Sequence, residues 1–170
     1  MFYQTAYSSP LGQIGIVCSE EALVCLWLPG QPPFSREARI CSCPQEHPML
    51  EKTARWLDRY FSGEPVSAAE LPVAPEGSEF RRRIWRLLLE IPWGQSRTYG
   101  FLASQAAREM GIEKMSAQAV GGAVGSNPIS IVIPCHRCLG AGGAITGYAG
   151  GLALKRALLE LERIPYKDCP

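Results

Sequence analysis

Ile129-Ser130-Ile131-Val132-Ile133-Pro134-Cys135-His136-Arg137-Cys138 is the most informative stretch of this chain. Its apolar first half predicts a buried strand. Its second half places a thiol beside an imidazole in a chain that has only two histidines. A free thiol, with a pKa of about 8.5, is mostly protonated at neutral pH, and a nearby base or cation shifts it toward the nucleophilic thiolate. The alternative is a buried structural cysteine that ends a core strand, since free cysteine is among the most buried residue types.

Short motifs surround this stretch in a fixed order. They are Ile91-Pro92-Trp93-Gly94, Thr98-Tyr99-Gly100, the small-residue segment 116–123, Asn127-Pro128, Gly147-Tyr148-Ala149-Gly150-Gly151-Leu152, Lys155 and Leu158-Leu159-Glu160-Leu161-Glu162. In this order and spacing they resemble the O6-alkylguanine-DNA alkyltransferases, also called methylated-DNA–protein-cysteine methyltransferases. The resemblance covers most of 78–163. A weaker similarity lies at Ser9-Pro10-Leu11-Gly12 and Leu26-Trp27-Leu28.

Length and composition indicate a globular protein of one domain or two small ones. The chain has 170 residues, 46% of them hydrophobic, and no apolar stretch approaches the roughly 18 residues of a membrane span. The first ten residues show no basic or apolar signal region, so we expect no signal peptide and no membrane partner. The seven cysteines are an odd number without disulfide spacing, which predicts a reducing cytoplasmic location, at the nucleoid when the protein is bound to DNA.

Charge is divided unevenly along the chain. Residues 1–75 hold five basic and eight acidic residues, whereas residues 76–170 hold twelve and eight. The C-terminal part is therefore the better candidate to face a polyanion, although an imbalance of this size is ordinary.

The first 75 residues predict a small α/β domain. Three β-prone runs, 2–7, 13–18 and 23–28, are separated by turn residues, and 50–61 has helical apolar spacing. Residues 29–48 predict a loop and 64–77 a proline-rich linker. The resemblance implies a ribonuclease-H-like α/β domain around an antiparallel sheet over 1–75.

Residues 76–170 predict a mainly helical domain. Helices are expected from Ser78 to near Pro92, from Thr98 to Met110 with Phe101, Leu102 and Ala106 turned inward, from Ser116 to about Val124, and over 151–163. The second and third helices flank a turn at 111–114, the outline of a helix-turn-helix. The resemblance implies a winged-helix-like DNA-binding and alkyl-acceptor domain.

The third predicted helix consists almost entirely of small residues. Such a helix can pack tightly against another helix or approach a different surface closely, and the sequence alone does not separate the two. In the family that the chain resembles, this helix enters the minor groove of double-stranded DNA. The resemblance therefore implies DNA contacts from Ala117, Gln118, Ala119 and Gly121.

The resemblance also implies a single-turnover reaction that needs neither cofactor nor metal. Cys135 would accept the alkyl group of O6-alkylguanine, and of O4-alkylthymine if that is also a substrate. His136 would act as the general base through a bridging water, and Glu162 would orient that histidine. Asn127 would tie the recognition helix to the active-site strand. Without the family, Glu162 would be interpreted as a solvated helix-end charge and Asn127 as a turn residue.

Four further residues correspond to the family's substrate pocket. Tyr148 and Ala149 would line the pocket for the extruded base, and Tyr99 would press on the target phosphate and protonate the leaving guanine. Lys155 would lie near the pocket. The alternatives are core packing for Tyr148 and a solvated charge for Lys155. Arg137 is expected to form a structural ion pair.

The sequence departs from the family pattern at several positions. Gln118 stands where the family has an arginine that fills the gap left by the flipped base. Ala149 replaces a larger residue, often serine, and Cys138 replaces a valine, either as a small core residue or as a redox partner of Cys135. The segment 108–114 is longer than usual. Cys41, Cys43 and His47 fit no common zinc spacing, so we expect no metal.

The leading hypothesis is a monomeric methyltransferase that repairs DNA stoichiometrically. The main alternative is a non-catalytic lesion-binding protein that flips alkylguanine and recruits other repair factors. Such relatives usually lose the cysteine and keep the arginine, whereas this chain keeps Cys135 and lacks the arginine. A transcriptional regulator would need an additional DNA-binding domain. A cysteine hydrolase would need an oxyanion hole and usually a histidine distant in sequence, and the only other histidine is His47.

Overall fold

The computed structural model describes residues 1–33 and 46–168. It divides into two compact units, Met1–Glu76 with Pro128–Ser130, and Gly77–Asn127 with Ile131–Pro170. Within the two described ranges, every helix is too short or too polar to cross a membrane.

The first unit is built on a small antiparallel sheet, as the sequence predicts. Strands β1 (Tyr3–Ser9), β2 (Gly12–Cys18) and β3 (Leu23–Trp27) pair in that order. The last five residues of β2 are all buried, because β2 is the central strand. Short parallel bridges add Val73 beside Leu23 and Ile129 beside Leu26.

Helix α1 (Pro48–Phe61) packs against this sheet. His47 caps its first turn, with Nδ1 accepting the backbone N–H of Met49 at 3.2 Å. The buried face carries Leu50, Thr53, Trp56, Leu57 and Tyr60. The segment predicted as a linker contains a short 3-10 helix, Ala68–Glu70, held by a capping box.

The second unit is mainly helical. It contains α2 (Glu79–Leu89), α3 (Tyr99–Met110), α4 (Ala117–Gly125) and α5 (Leu152–Leu161). The sequence-predicted caps are confirmed, since the hydroxyls of Ser78, Thr98 and Ser116 each accept a backbone N–H in the first turn of the following helix. Strands β4 (Arg97–Thr98) and β5 (Cys138–Leu139), which the sequence analysis missed, form a parallel ladder.

Helices α2, α3 and α4 pack together. The indole of Trp85 donates to the carbonyl of Ala123 at 2.8 Å and so joins α2 to α4. Gly111 ends α3 at φ +64°, a left-handed conformation that suits glycine and reverses the chain toward α4. These contacts leave one face of α4 exposed.

The prediction that Phe101 turns inward was wrong. Phe101 is 45% exposed, because the buried face of α3 is made by Leu102, Ala103, Ala106 and Ala107. The guanidinium of Arg97 instead covers the Phe101 ring at 5.6 Å.

The prediction of a buried strand over residues 129–133 was also wrong, because this apolar run does not form a continuous strand. Its backbone pairing with Leu26 ends at Ser130, and a turn follows in which Ile131 adopts φ +68°. A β-branched residue rarely adopts this conformation. Ile131 is only 1% exposed, so burial of its side chain holds the turn that leads to Cys135.

Candidate active site

Cys135 is the first residue of a single 3-10 turn, Cys135–Arg137, that follows Pro134. The turn closes when the backbone N–H of Cys138, the first residue of β5, donates to the carbonyl of Cys135. Cys135 is 5% exposed, so its sulfur lies at the edge of the second unit's core. The rigid turn fixes the cysteine and the adjacent histidine relative to one another.

His136, Glu162 and Arg137 form a buried cluster. Nε2 of His136 lies 2.6 Å from Oε1 of Glu162. Arg137 donates from Nε to Oε2 of Glu162 at 2.7 Å and from Nη1 to the carbonyl of Ile91 at 2.5 Å. The structural ion pair expected for Arg137 is therefore confirmed, and its partner is the carboxylate that also orients the histidine.

Burial and charge set the protonation state of this cluster. Burial lowers the pKa of His136 and outweighs the opposing effect of Glu162, so the imidazole is neutral at pH 7. Burial raises the pKa of Glu162, but His136 and Arg137 outweigh it and bring the pKa to about 2. An ionised carboxylate can only accept, so the proton of the neutral imidazole is on Nε2 and the lone pair is on Nδ1. The cluster therefore presents a base.

Several groups act on the Cys135 thiol. Burial raises its pKa, whereas hydrogen bonds from the side chains of Asn127 and Tyr148 and the charge of Lys155 oppose that rise. Asn127 also donates from Nδ2 to the carbonyl of Ile133 at 2.8 Å, which fixes its amide. These donors would stabilise a thiolate more than a thiol.

Lys155 is fully buried, so its interpretation as a solvated helix charge was wrong. Its Nζ donates to the carbonyl of Cys138 at 2.7 Å and lies 5.9 Å from the ring centroids of both Tyr99 and Tyr148. Burial lowers the pKa of Lys155, and the electrostatic effects of Cys135 and Cys138 oppose this. The two aromatic rings and the carbonyl replace the water that this ammonium loses.

Tyr99 links the site to α4. Burial raises its pKa to about 12, although a hydrogen bond with the Thr146 side chain opposes the rise. The phenol therefore stays protonated at neutral pH and can donate a proton. A Cβ at Gly121 of α4 would lie 4.0 Å from the Tyr99 ring, so the small residue lets the helix and the ring approach closely.

The other predicted contact residues lie at the surface. Ala117, Gln118 and Ala119 are exposed in the first turn of α4, and Gly121 is partly exposed. Ala149 is exposed in the segment that precedes α5, next to the half-buried Tyr148. Seven of the predicted site residues are joined by direct contacts or by charge, namely Cys135, His136, Glu162, Asn127, Tyr148, Lys155 and Tyr99. The first turn of α4 remains exposed.

Two further contributors to the site were not predicted from the sequence. Thr146 hydrogen-bonds Tyr99, and the backbone carbonyl of Ile91 anchors Arg137. A backbone carbonyl leaves no signal in residue types, and a lone threonine in a glycine-rich loop resembles any turn residue.

Metal ligands do not converge on the site. Over residues 1–33 and 46–168, no group of three or more His, Cys, Asp or Glu side chains could hold a metal ion. His47 caps α1 and lies 3.5 Å through Nδ1 from the sulfur of Cys18. Cys41 and Cys43, whose spacing fits no common zinc pattern, lie outside the described residues.

Both halves of the chain match family models. The DNA-binding domain of 6-O-methylguanine DNA methyltransferase matches residues 79–164, and the ribonuclease-like domain of the same enzyme matches residues 2–75. The chain belongs to the 6-O-methylguanine DNA methyltransferase family.

Relatives of this family align over nearly the whole chain. The methylated-DNA–protein-cysteine methyltransferase of Haemophilus influenzae is 41% identical over 98% of this chain and 89% of its own length. That of Methanosarcina acetivorans is 38% identical over 94% and 97%. Among solved structures, Mycobacterium tuberculosis OGT in complex with DNA has a TM-score of 0.82, with 35% identity over 95% of this chain and 93% of that one.

Proposed function

We propose that this methyltransferase repairs DNA directly by moving the alkyl group of O6-alkylguanine onto Cys135. The product thioether is stable, so each molecule acts once. In this proposal residues 76–170 form the DNA-binding and alkyl-acceptor domain, and residues 1–75 form the ribonuclease-H-like domain. The observation that supports it best is the neutral, carboxylate-oriented His136 next to a cysteine whose sulfur receives hydrogen bonds from Asn127 and Tyr148.

The step is a displacement at carbon. The thiol proton of Cys135 passes through a bridging water to Nδ1 of His136, and Glu162 stabilises the imidazolium that forms. The sulfur lone pair forms the S–C bond while the bond between that carbon and guanine O6 breaks. The departing electron pair remains on guanine, which takes a proton from the phenol of Tyr99. Lys155, Asn127 and Tyr148 favour the thiolate through charge and hydrogen bonds.

The DNA partner is a duplex that contains the damaged base. The start of α4, with the exposed Ala117, Gln118 and Ala119 and the partly exposed Gly121, is slim enough to enter the minor groove. A base rotated out of the stack would rest on the ring of Tyr148, beside Ala149. We propose that the protein acts as a monomer in the cytoplasm, at the nucleoid when it is bound to DNA.

The experiment is mass spectrometry of the intact protein and its peptides after mixing with a duplex that contains O6-methylguanine. We expect one added methyl group on the peptide that holds Cys135. The Cys135→Ala variant should gain none. A Cys25→Ala variant is the matched control, because it removes another buried free cysteine and should still be methylated.

The opposite result favours the lesion-binding alternative. If wild-type protein gains no methyl group but still binds the damaged duplex in preference to an undamaged one, the protein recognises the lesion without repairing it. Methylation that persists in the Cys135→Ala variant would instead show that another residue is the acceptor.

A further inference from the structure

Cys135 and Cys138 form a Cys-x-x-Cys pair across one tight turn. Residues Cys135–Arg137 are a single 3-10 turn, and the backbone N–H of Cys138 donates to the carbonyl of Cys135. In 3-10 geometry, side chains three residues apart eclipse one another, and three steps of about 2.0 Å separate their Cα atoms by about 6 Å. Disulfides span Cα separations of about 4.4–6.8 Å. The turn therefore holds the Cα atoms of the two cysteines at a spacing that a disulfide can bridge.

The two thiols differ in access. Cys135 is 5% exposed, whereas Cys138 is fully buried and is the first residue of β5. A small oxidant that reaches this turn meets Cys135 first. Burial raises the pKa of both thiols, and the ammonium of Lys155, which is bonded to the Cys138 carbonyl, opposes the rise in each case.

We propose that Cys138 is a resolving cysteine and that Cys135 and Cys138 form a reversible disulfide when a hydroperoxide oxidises the acceptor thiol. The thiolate of Cys135 attacks the peroxide O–O bond, forms Cys135–S–OH and releases an alcohol, or water from hydrogen peroxide. The thiol of Cys138 then attacks that sulfur, forms the S–S bond and releases water. Two electrons pass from the two sulfurs to the peroxide.

The disulfide has a functional consequence, which rests on the proposed role of Cys135. A sulfur in a disulfide cannot take an alkyl group, so oxidised protein does not repair DNA. The disulfide also keeps Cys135 from the irreversible sulfinic and sulfonic states, and a thiol reductant restores it. A valine at position 138 has no sulfur and therefore cannot form the disulfide.

Trypsin makes the disulfide directly observable, because it cleaves after Arg137, between the two cysteines. The protein is treated with limiting hydrogen peroxide, free thiols are then blocked under denaturing conditions, and the digest is analysed by mass spectrometry. We expect the peptide that ends at Arg137 and the peptide that begins at Cys138 to remain joined, lighter by two hydrogen atoms than their sum, and to separate after reduction. The measurement uses no DNA, so its result stands even if Cys135 fails to accept a methyl group.

The Cys138→Val variant, with Cys138→Ala in case valine disturbs the fold, tests the resolving role. Each protein is compared with its own untreated sample. After peroxide followed by reductant, wild type should recover at least about tenfold more reduced Cys135 than either variant, which should accumulate sulfinic and sulfonic acid. The proposal is overturned if wild-type Cys135 gains oxygen atoms while Cys138 is recovered as a blocked thiol, or if the variants recover as well as wild type.

Discussion

Oε1 of Glu162 lies 2.6 Å from Nε2 of His136, and neither side chain has any exposed surface. Glu162 is also the C-cap residue of α5, whereas His136 lies in the 3-10 turn of Cys135. The same carboxylate binds Arg137, so one buried anion holds both a cation and a neutral base. We therefore expect both the stability of the unit and the reactivity of Cys135 to depend on this one carboxylate.

Replacing Glu162 with glutamine should damage both properties. Glu162→Gln leaves the buried Arg137 without a counter-charge, which we expect to lower the free energy of unfolding by about 3–5 kcal/mol. In the proposed reaction it also removes the anion that would stabilise the imidazolium, so the single-turnover methyl-transfer rate should fall by about 100-fold or more. Urea unfolding and rapid-quench kinetics measure the two effects. Glu160→Gln, on the exposed side of α5, is the control and should change stability by less than about 1 kcal/mol.

Acid should destabilise the protein through His136. Burial lowers the pKa of His136 in the folded state. As the pH falls below about 6.5, the unfolded chain therefore binds a proton at this histidine that the folded protein does not bind, and the free energy of unfolding decreases. Glu162, whose pKa is about 2 when folded, adds a second loss as pH falls from about 4.5. Urea midpoints between pH 7.5 and pH 4 test this, and His136→Asn should flatten the first part of the curve. A constant midpoint from pH 7.5 to 5.5 in wild type would contradict it.

Removing the charge of Lys155 should shift the pH dependence of methyl transfer. The ammonium lowers the pKa of Cys135, so Lys155→Met should raise that pKa and slow transfer at pH 7. The rate should recover toward higher pH, with the midpoint of the pH–rate profile displaced upward. Lys167→Met, which removes an exposed lysine, should leave the midpoint in place. If the midpoint of the pH–rate profile were unchanged in Lys155→Met, the charge of this lysine would not affect the pKa of Cys135.

An arginine at position 118 should strengthen DNA binding. Gln118 is exposed in the first turn of α4 and carries no charge, so Gln118→Arg should tighten duplex binding and steepen its salt dependence by about one unit of slope. Repair of O6-methylguanine should also be faster, because in the proposed complex a longer side chain would fill the gap left by the flipped base. Gln13→Arg adds the same charge on β2 as a control. A Gln118→Arg protein that binds and repairs no better would count against this role of α4.

Two glycines should respond to alanine with opposite signs. A Cβ on Gly15 would lie 2.0 Å from the Trp27 indole across the β2–β3 pair, so Gly15→Ala should cost about 1–3 kcal/mol of stability. Gly122 lies in α4 with nothing within 4 Å of a Cβ, so Gly122→Ala should stabilise by about 0.5–1 kcal/mol. Thermal and urea unfolding measure both. If both alanine variants changed the free energy of unfolding equally, packing against Trp27 would not be the reason for glycine at position 15.

Local signals in the sequence predicted most elements correctly. The serine and threonine caps of α2, α3 and α4, the three β-prone runs and the turn that begins at Gly111 depend on neighbours within four residues, so the pattern of residue types is sufficient. The order of motifs around Cys135 likewise indicated the family, because it records residue types and spacings directly.

Tertiary structure alone decided the rest. The pairing of Glu162 with His136 spans 26 positions, the burial of Lys155 depends on two aromatic rings from different segments, and the exposure of Phe101 depends on which face of α3 meets α4. The apolar run at 129–133 has the composition of a strand and becomes a turn because its pairing with Leu26 stops at Ser130. Burial, and with it the pKa of a buried group, arises from all surrounding segments at once, so neighbouring residue types could not predict it.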